Sequence, residues 1–134
     1  IPQAMVLYNP GLFYSDSEGV MAKVGGDHML AERLKLISPL DHVDKDTPPA
    51  LILFGTKDKL KRGADEYLRL GKEFGLRAEM FTAEGENHGF FNTEPWLSKT
   101  TAEGDKYLVS LGYLDREKKL ENTAVDHSPE VEHW

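Results

Sequence analysis

The chain has 134 residues, 40% hydrophobic and 29% charged, the size and balance of one globular domain that buries a core without staples. Its net charge of −7 repels phosphate backbones, so no nucleic-acid partner is expected. No apolar stretch approaches the ~20 residues of a membrane-spanning helix. The absence of cysteine excludes disulfides and thiolate metal sites and leaves the localisation unknown.

The chain opens Ile1-Pro2-Gln3-Ala4, with neither an initiator methionine nor a signal-peptide pattern, and enters an apolar run at once. A natural amino terminus usually carries some slack before its first buried element, so this start is expected to lie inside a longer or processed chain. Ala4 to Tyr8 is continuously apolar, which suggests a strand buried on both faces of a parallel sheet, and Asn9-Pro10-Gly11 ends it in a turn. A mixed stretch from Leu12 to Leu36 follows. Its later part, from Asp27, predicts a helix with Asp27 as cap and a loose apolar face of Met29, Leu30, Leu34 and Leu36.

Ser38-Pro39-Leu40 begins an irregular, Asp-rich segment that ends at Thr47-Pro48-Pro49, where the paired prolines impose extended backbone. Ala50 to Phe54 is the clearest strand, apolar throughout and closed by Gly55. Ala64, Tyr67, Leu68, Gly71 and Phe74 fall at helical spacing and predict an amphipathic helix over 61–74, with Gly75 as its stop. The short basic cluster of Lys57, Lys59, Lys61 and Arg62 reads as a solvated loop and helix start. Ala78 to Ala83 predicts a third strand. A last helix is expected after Thr100, where Thr100-x-x-Glu103 has capping-box spacing, running to Gly112.

Strands alternating with helices predict parallel βαβ units with right-handed crossovers. Ligands of such sheets bind beyond the carboxyl ends of the strands. Asp58 lies four residues past Phe54 and His88 five past Ala83, so on neighbouring strands the two meet at that edge. An Asp that accepts the imidazole Nδ1–H fixes the tautomer and frees Nε2 to take a proton from a hydroxyl nucleophile. Gly89 lets the backbone turn beside His88.

The segment Pro48-Pro49-Ala50-Leu51-Ile52-Leu53-Phe54-Gly55-Thr56-Lys57-Asp58 resembles the acid-bearing strand and loop of α/β-hydrolases, and Ala83-Glu84-Gly85-Glu86-Asn87-His88-Gly89-Phe90 resembles their histidine loop. The pattern is most similar to the esterase/lipase branch with acetyl esterases and xylan-esterase-like enzymes, in which a Ser-Pro pair such as Ser38-Pro39 precedes the acid strand. The resemblance covers roughly residues 4–112. It implies an α/β fold: the carboxyl-terminal part of an α/β-hydrolase, three-layered, with a short parallel sheet and flanking helices. Residues 1–114 would form that portion, 11–36 a cap segment over the substrate pocket, and 115–134 a polar tail. Asp58 would be the triad acid and His88 the general base. Phe13, Tyr14 and Met29 read as core residues, with pocket lining as the alternative.

One part of the pattern is missing. The family's triad runs Ser, Asp, His, with the serine on a Gly-x-Ser-x-Gly turn, and this sequence has no such turn. Ser15 and Ser17 precede Asp58 without the flanking glycines, Ser38 is followed by proline, and the upstream oxyanion-hole loop is also lacking. The expectation is therefore a chain that supplies the acid and base of a carboxylic-ester hydrolase but is not an efficient esterase alone. No cofactor and no metal is expected. His42 in Asp41-His42-Val43-Asp44-Lys45-Asp46 reads as solvated, His28 as a helix start, and His127 and His133 as tail residues. The expected partners are a small-molecule ester and a missing amino-terminal half. A non-catalytic module that binds a partner or self-associates through its open sheet edge is the competing reading. A flavodoxin-like binding domain is disfavoured, because the first strand leads into no phosphate-cradling glycine loop.

Overall fold

The computed structural model describes residues 1–12 and 28–115. The order is β1 (Met5–Tyr8), α1 (His28–Ile37), a 3-10 turn at Pro39–His42, β2 (Ala50–Gly55), α2 (Lys61–Glu73), β3 (Ala78–Ala83), a 3-10 turn at Phe90–Asn92 and α3 (Trp96–Ser110). The three strands form one parallel sheet in the order β1-β2-β3. Met5 pairs with Ala50, and Ala50 with Ala78, so all three carboxyl ends reach the same edge.

Continuous apolarity in β2 has the cause expected of it. Ala50, Ile52 and Phe54 turn to one face and pack with Leu12, Leu40, Ala64 and Tyr67. Leu51 and Leu53 turn to the other and pack with Ala83, Phe90 and Tyr107. A strand whose alternate side chains enter two separate cores has no polar face to offer. α2 thus covers one face and α3 the other, which makes the described residues a three-layer α/β/α arrangement. Gly104 in α3 lies against β1, where an added methyl group would make only an ordinary contact with Val6 Cγ1 at 3.5 Å.

Helix ends follow local chemistry. α2 stops at Gly75 (φ 69°), whose N–H donates to Lys72 O while Leu76 N–H donates to Gly71 O, a Schellman pair as Gly75 predicts. Gly112 (φ 82°) closes α3 in the same way, with N–H bonds from Gly112 to Val109 O and from Tyr113 to Leu108 O.

The capping-box reading of Thr100 is corrected. α3 begins a turn earlier, at Trp96, directly after Pro95. Glu94 receives both the backbone N–H and the hydroxyl of Ser98, at 3.2 and 2.6 Å. Thr100 is buried within the helix, where its hydroxyl donates to Trp96 O at 2.7 Å. Glu103 instead pairs with Lys106. α1 also departs in part from its expected apolar face, since Leu36 is exposed together with Ile37. The expected cap over 11–36 falls largely on residues 13–27, and the expected tail on 116–134, which lie outside the described residues. Among the described residues no helix is long and apolar enough to cross a membrane.

Candidate active site

The three strand ends deliver one residue each to a common edge: Asn9 after β1, Asp58 after β2 and His88 after β3. Beyond β2 the chain makes a tight turn, with Asp58 N–H donating to Gly55 O and Lys61 N–H to Asp58 O. Asp58 Oδ1 accepts the Leu60 N–H at 2.9 Å. That bond locks the carboxylate rotamer and aims Oδ2 at the neighbouring loop.

The loop after β3 is laced to the loop after β2. Thr56 N–H donates to Ala83 O, Lys57 N–H to Glu86 O, and Gly85 N–H to Thr56 Oγ1. The approach is so close that a methyl group on Gly55 would sit 2.2 Å from Glu86 O. Gly55 is glycine because the histidine loop crosses over it.

This lacing brings Asp58 and His88 together. His88 Nδ1 lies 2.7 Å from Asp58 Oδ2 across thirty residues of sequence. The Asp58 side chain is 3% exposed and that of His88 is 57% exposed, so the carboxylate is shielded and the imidazole reaches the opening. A carboxylate accepts, so Nδ1 carries the proton that it donates to Asp58, and Nε2 is left as the acceptor. The arrangement orients a ring whose unprotonated nitrogen can take a proton from a hydroxyl group.

Asn9 is the residue that the sequence reading missed. It appeared there only as the start of an Asn-Pro-Gly turn. Its Oδ1 accepts the Gly89 N–H at 2.9 Å and its Nδ2 lies 3.2 Å from His88 Nε2. Its φ of 36° is left-handed, a conformation that Asn tolerates better than most residues, and Gly89 answers it with φ 81°. An asparagine that ends a strand at the carboxyl edge of the sheet was the available signal.

The other candidates lie elsewhere. Ser38 is buried and its hydroxyl donates to Leu12 O at 3.3 Å. Ser98 uses its hydroxyl on Glu94, and Ser110 donates to Tyr107 O. Ser15, Ser17, Phe13 and Tyr14 lie outside the described residues, as do His127 and His133. His28 opens α1 and Met29 follows it. His42 is exposed, with Nε2 2.6 Å from Leu36 O. The Asp-rich segment around it folds on itself: Asp44 Oδ1 accepts the Asp46 N–H, and Asp44 N–H donates to Thr47 Oγ1. Among the described residues no three His, Asp or Glu side chains gather as a metal site.

No protein-family model matches the sequence, and no curated protein matches it either. Solved structures do. A thermophilic esterase from the planctomycete Thermogutta terrifontis superposes with a TM-score of 0.69 at 30% identity, over 85% of this chain and 44% of the esterase. The apo form of esterase 2 from that organism gives a TM-score of 0.70 at 28% identity, over 84% and 44%. The same enzyme phosphoramylated by tabun gives 0.69 at 30% identity, over 84% and 42%. The chain therefore spans less than half the length of the esterases it matches. Over the matched residues it has an α/β-hydrolase fold and is related to esterases of that type.

Proposed function

We propose that this chain supplies the acid and the general base of a serine carboxylic-ester hydrolase, Asp58 as the acid and His88 as the base. One observation carries the proposal: Asp58 Oδ2 and His88 Nδ1 are 2.7 Å apart at the carboxyl edge of a parallel sheet, the carboxylate buried and the imidazole more than half exposed. In the reaction, a serine Oγ attacks the ester carbonyl carbon as Nε2 takes the hydroxyl proton. The tetrahedral adduct collapses by breaking the bond to the alcohol oxygen, which leaves with the proton from Nε2. Water, deprotonated by the same nitrogen, then hydrolyses the acyl-serine and regenerates the site. Asp58 stays ionised throughout and stabilises the imidazolium.

The serine on its Gly-x-Ser-x-Gly turn and the oxyanion donors are assigned in this proposal to sequence beyond the present chain. Support comes from the 44% of the esterase's length that the chain matches. Residues 1–114 would then be the carboxyl-terminal portion of the catalytic domain, 11–36 part of its cap and 115–134 a tail. The matched esterase is also known with propionate and with butyrate bound, which favours short acyl esters as substrates here. The test is hydrolysis of short p-nitrophenyl esters by the longer polypeptide, and its loss on His88→Ala. Full activity in that variant would sink the assignment.

A second reading has its own observation. The outer edge of β1 has no partner strand among the described residues, and Met5 to Tyr8 are only half buried. A free apolar edge invites pairing, so the chain would be a non-catalytic module that self-associates there. A monomer in light scattering at high protein concentration counts against it.

A further inference from the structure

We infer that Asn9 is a positioning residue for His88, holding the imidazole in the Nδ1–H tautomer by occupying Nε2 until a hydroxyl group replaces it. The inference stands on the geometry of the three strand ends; only its catalytic consequence rests on the function proposed above.

The orientation of the Asn9 carboxamide is fixed by its neighbours. Gly89 N–H can only donate, so the atom facing it at 2.9 Å is Oδ1. The opposite end of the planar amide is then NH₂, and it faces His88 Nε2 at 3.2 Å. An NH₂ group can only donate, so Nε2 must accept. Asp58 demands the same tautomer from the other side of the ring, since its carboxylate needs a proton on Nδ1. Two groups from two strand ends, one acceptor and one donor, therefore bracket the ring and select one protonation pattern.

The choice of asparagine carries the point. Anchoring the Gly89 loop needs only an acceptor oxygen, which aspartate would supply equally well in the same left-handed backbone. Aspartate would also turn a second acceptor toward Nε2 and draw a proton onto it, which ends its capacity as a base. The amide avoids that. Nε2 has a single lone pair, so a hydroxyl that bonds there displaces the Asn9 NH₂, while Oδ1 stays hinged on Gly89. The ring is thus held ready, its acceptor covered and unprotonated.

The test is nitrogen-15 NMR of the His88 ring in the full chain, at a pH where the wild-type ring is neutral. The wild-type protein should show a protonated Nδ1 and an unprotonated Nε2. Asn9→Asp keeps the bond to Gly89 but should move a proton onto Nε2 under the same conditions. Asn9→Gly tolerates the positive φ and removes the side chain, so solvent exchange of the Nδ1 proton should rise about fivefold, the factor one net hydrogen bond represents. A wild-type ring protonated on Nε2 instead of Nδ1 overturns the inference without any variant. So does an Asn9→Asp protein with the wild-type ring signals, because Asn9 would then be a loop anchor alone. An unchanged exchange rate in Asn9→Gly counts equally against it. None of these readings depends on esterase activity, so this inference and the proposed function fail separately.

Discussion

Gly55→Ala is a small change with a large expected effect, because the new methyl group has nowhere to go. It would lie 2.2 Å from Glu86 O, 2.6 Å from the Glu86 carbonyl carbon and 3.0 Å from Asn87 O. All three are backbone atoms, so no side chain can swing aside. Even a 3.0 Å contact requires the histidine loop to retreat from 2.2 Å by about 0.8 Å. His88 lies two residues beyond Glu86, and a retreat of that size along the bond stretches its 2.7 Å contact to Asp58 to about 3.5 Å, beyond hydrogen-bonding range. The Lys57 N–H bond to Glu86 O weakens with it. Overpacking costs about 1–3 kcal/mol and each lost bond about 1 kcal/mol, so the variant should lose about 2–4 kcal/mol of stability. Urea unfolding reads the first quantity, and the nitrogen-15 signal of His88 Nδ1–H reads the second. An exposed, unstrained Gly→Ala change instead gains up to about 1 kcal/mol through the unfolded state. A variant as stable as wild type, with the Asp58–His88 bond intact, would refute the account of why this residue is glycine.

Three further outcomes are expected. Phe54, wholly buried at the end of the central strand, should cost about 3–5 kcal/mol when replaced by alanine, measured by urea unfolding. Burial pushes the Tyr107 hydroxyl up to about 12, with nearby Glu79 adding to the effect, and burial raises Tyr67 too. A raised value means that the folded state holds its proton longer. That stabilisation is therefore complete below about pH 10 and is lost as pH rises through about 12. Unfolding midpoints across that range should fall more steeply for wild type than for Tyr107→Phe. Asp58→Asn keeps the Leu60 N–H bond at Oδ1 but presents NH₂ to His88, so the ring should adopt the Nε2–H tautomer. In an active parent enzyme this should lower kcat by about 10⁴-fold, and an unaltered kcat would contradict the role given to the acid.

What could be read from the sequence was what depends on short-range pattern. β2 is legible because both of its faces enter cores, which forces every residue from Ala50 to Phe54 to be apolar. Asp58 and His88 are legible as a pair because parallel strands put both following loops on one edge, so position along the chain translates into position in space. The start of α3 was misread because Thr100 and Glu103 have capping spacing by coincidence, while the helix starts after Pro95, five residues earlier, with Glu94 accepting the Ser98 N–H. Asn9 and Gly55 were legible only as a turn and a strand end. Their roles come from contacts to His88 and Glu86 across 79 and 31 residues, set by the crossing of two loops and by no local spacing. The exposure of Leu36 and Ile37 was equally beyond reach, since it depends on where α1 lies against the rest of the fold.

The measurement that bears most directly on Asp58 and His88 as acid and base is p-nitrophenyl butyrate hydrolysis by the longer polypeptide proposed above to carry this chain, with and without His88→Ala. An active parent with a Gly-x-Ser-x-Gly turn upstream and a fall of about 10⁴-fold or more in kcat on the substitution is the predicted result. A parent that keeps its full rate without His88 would contradict the assignment.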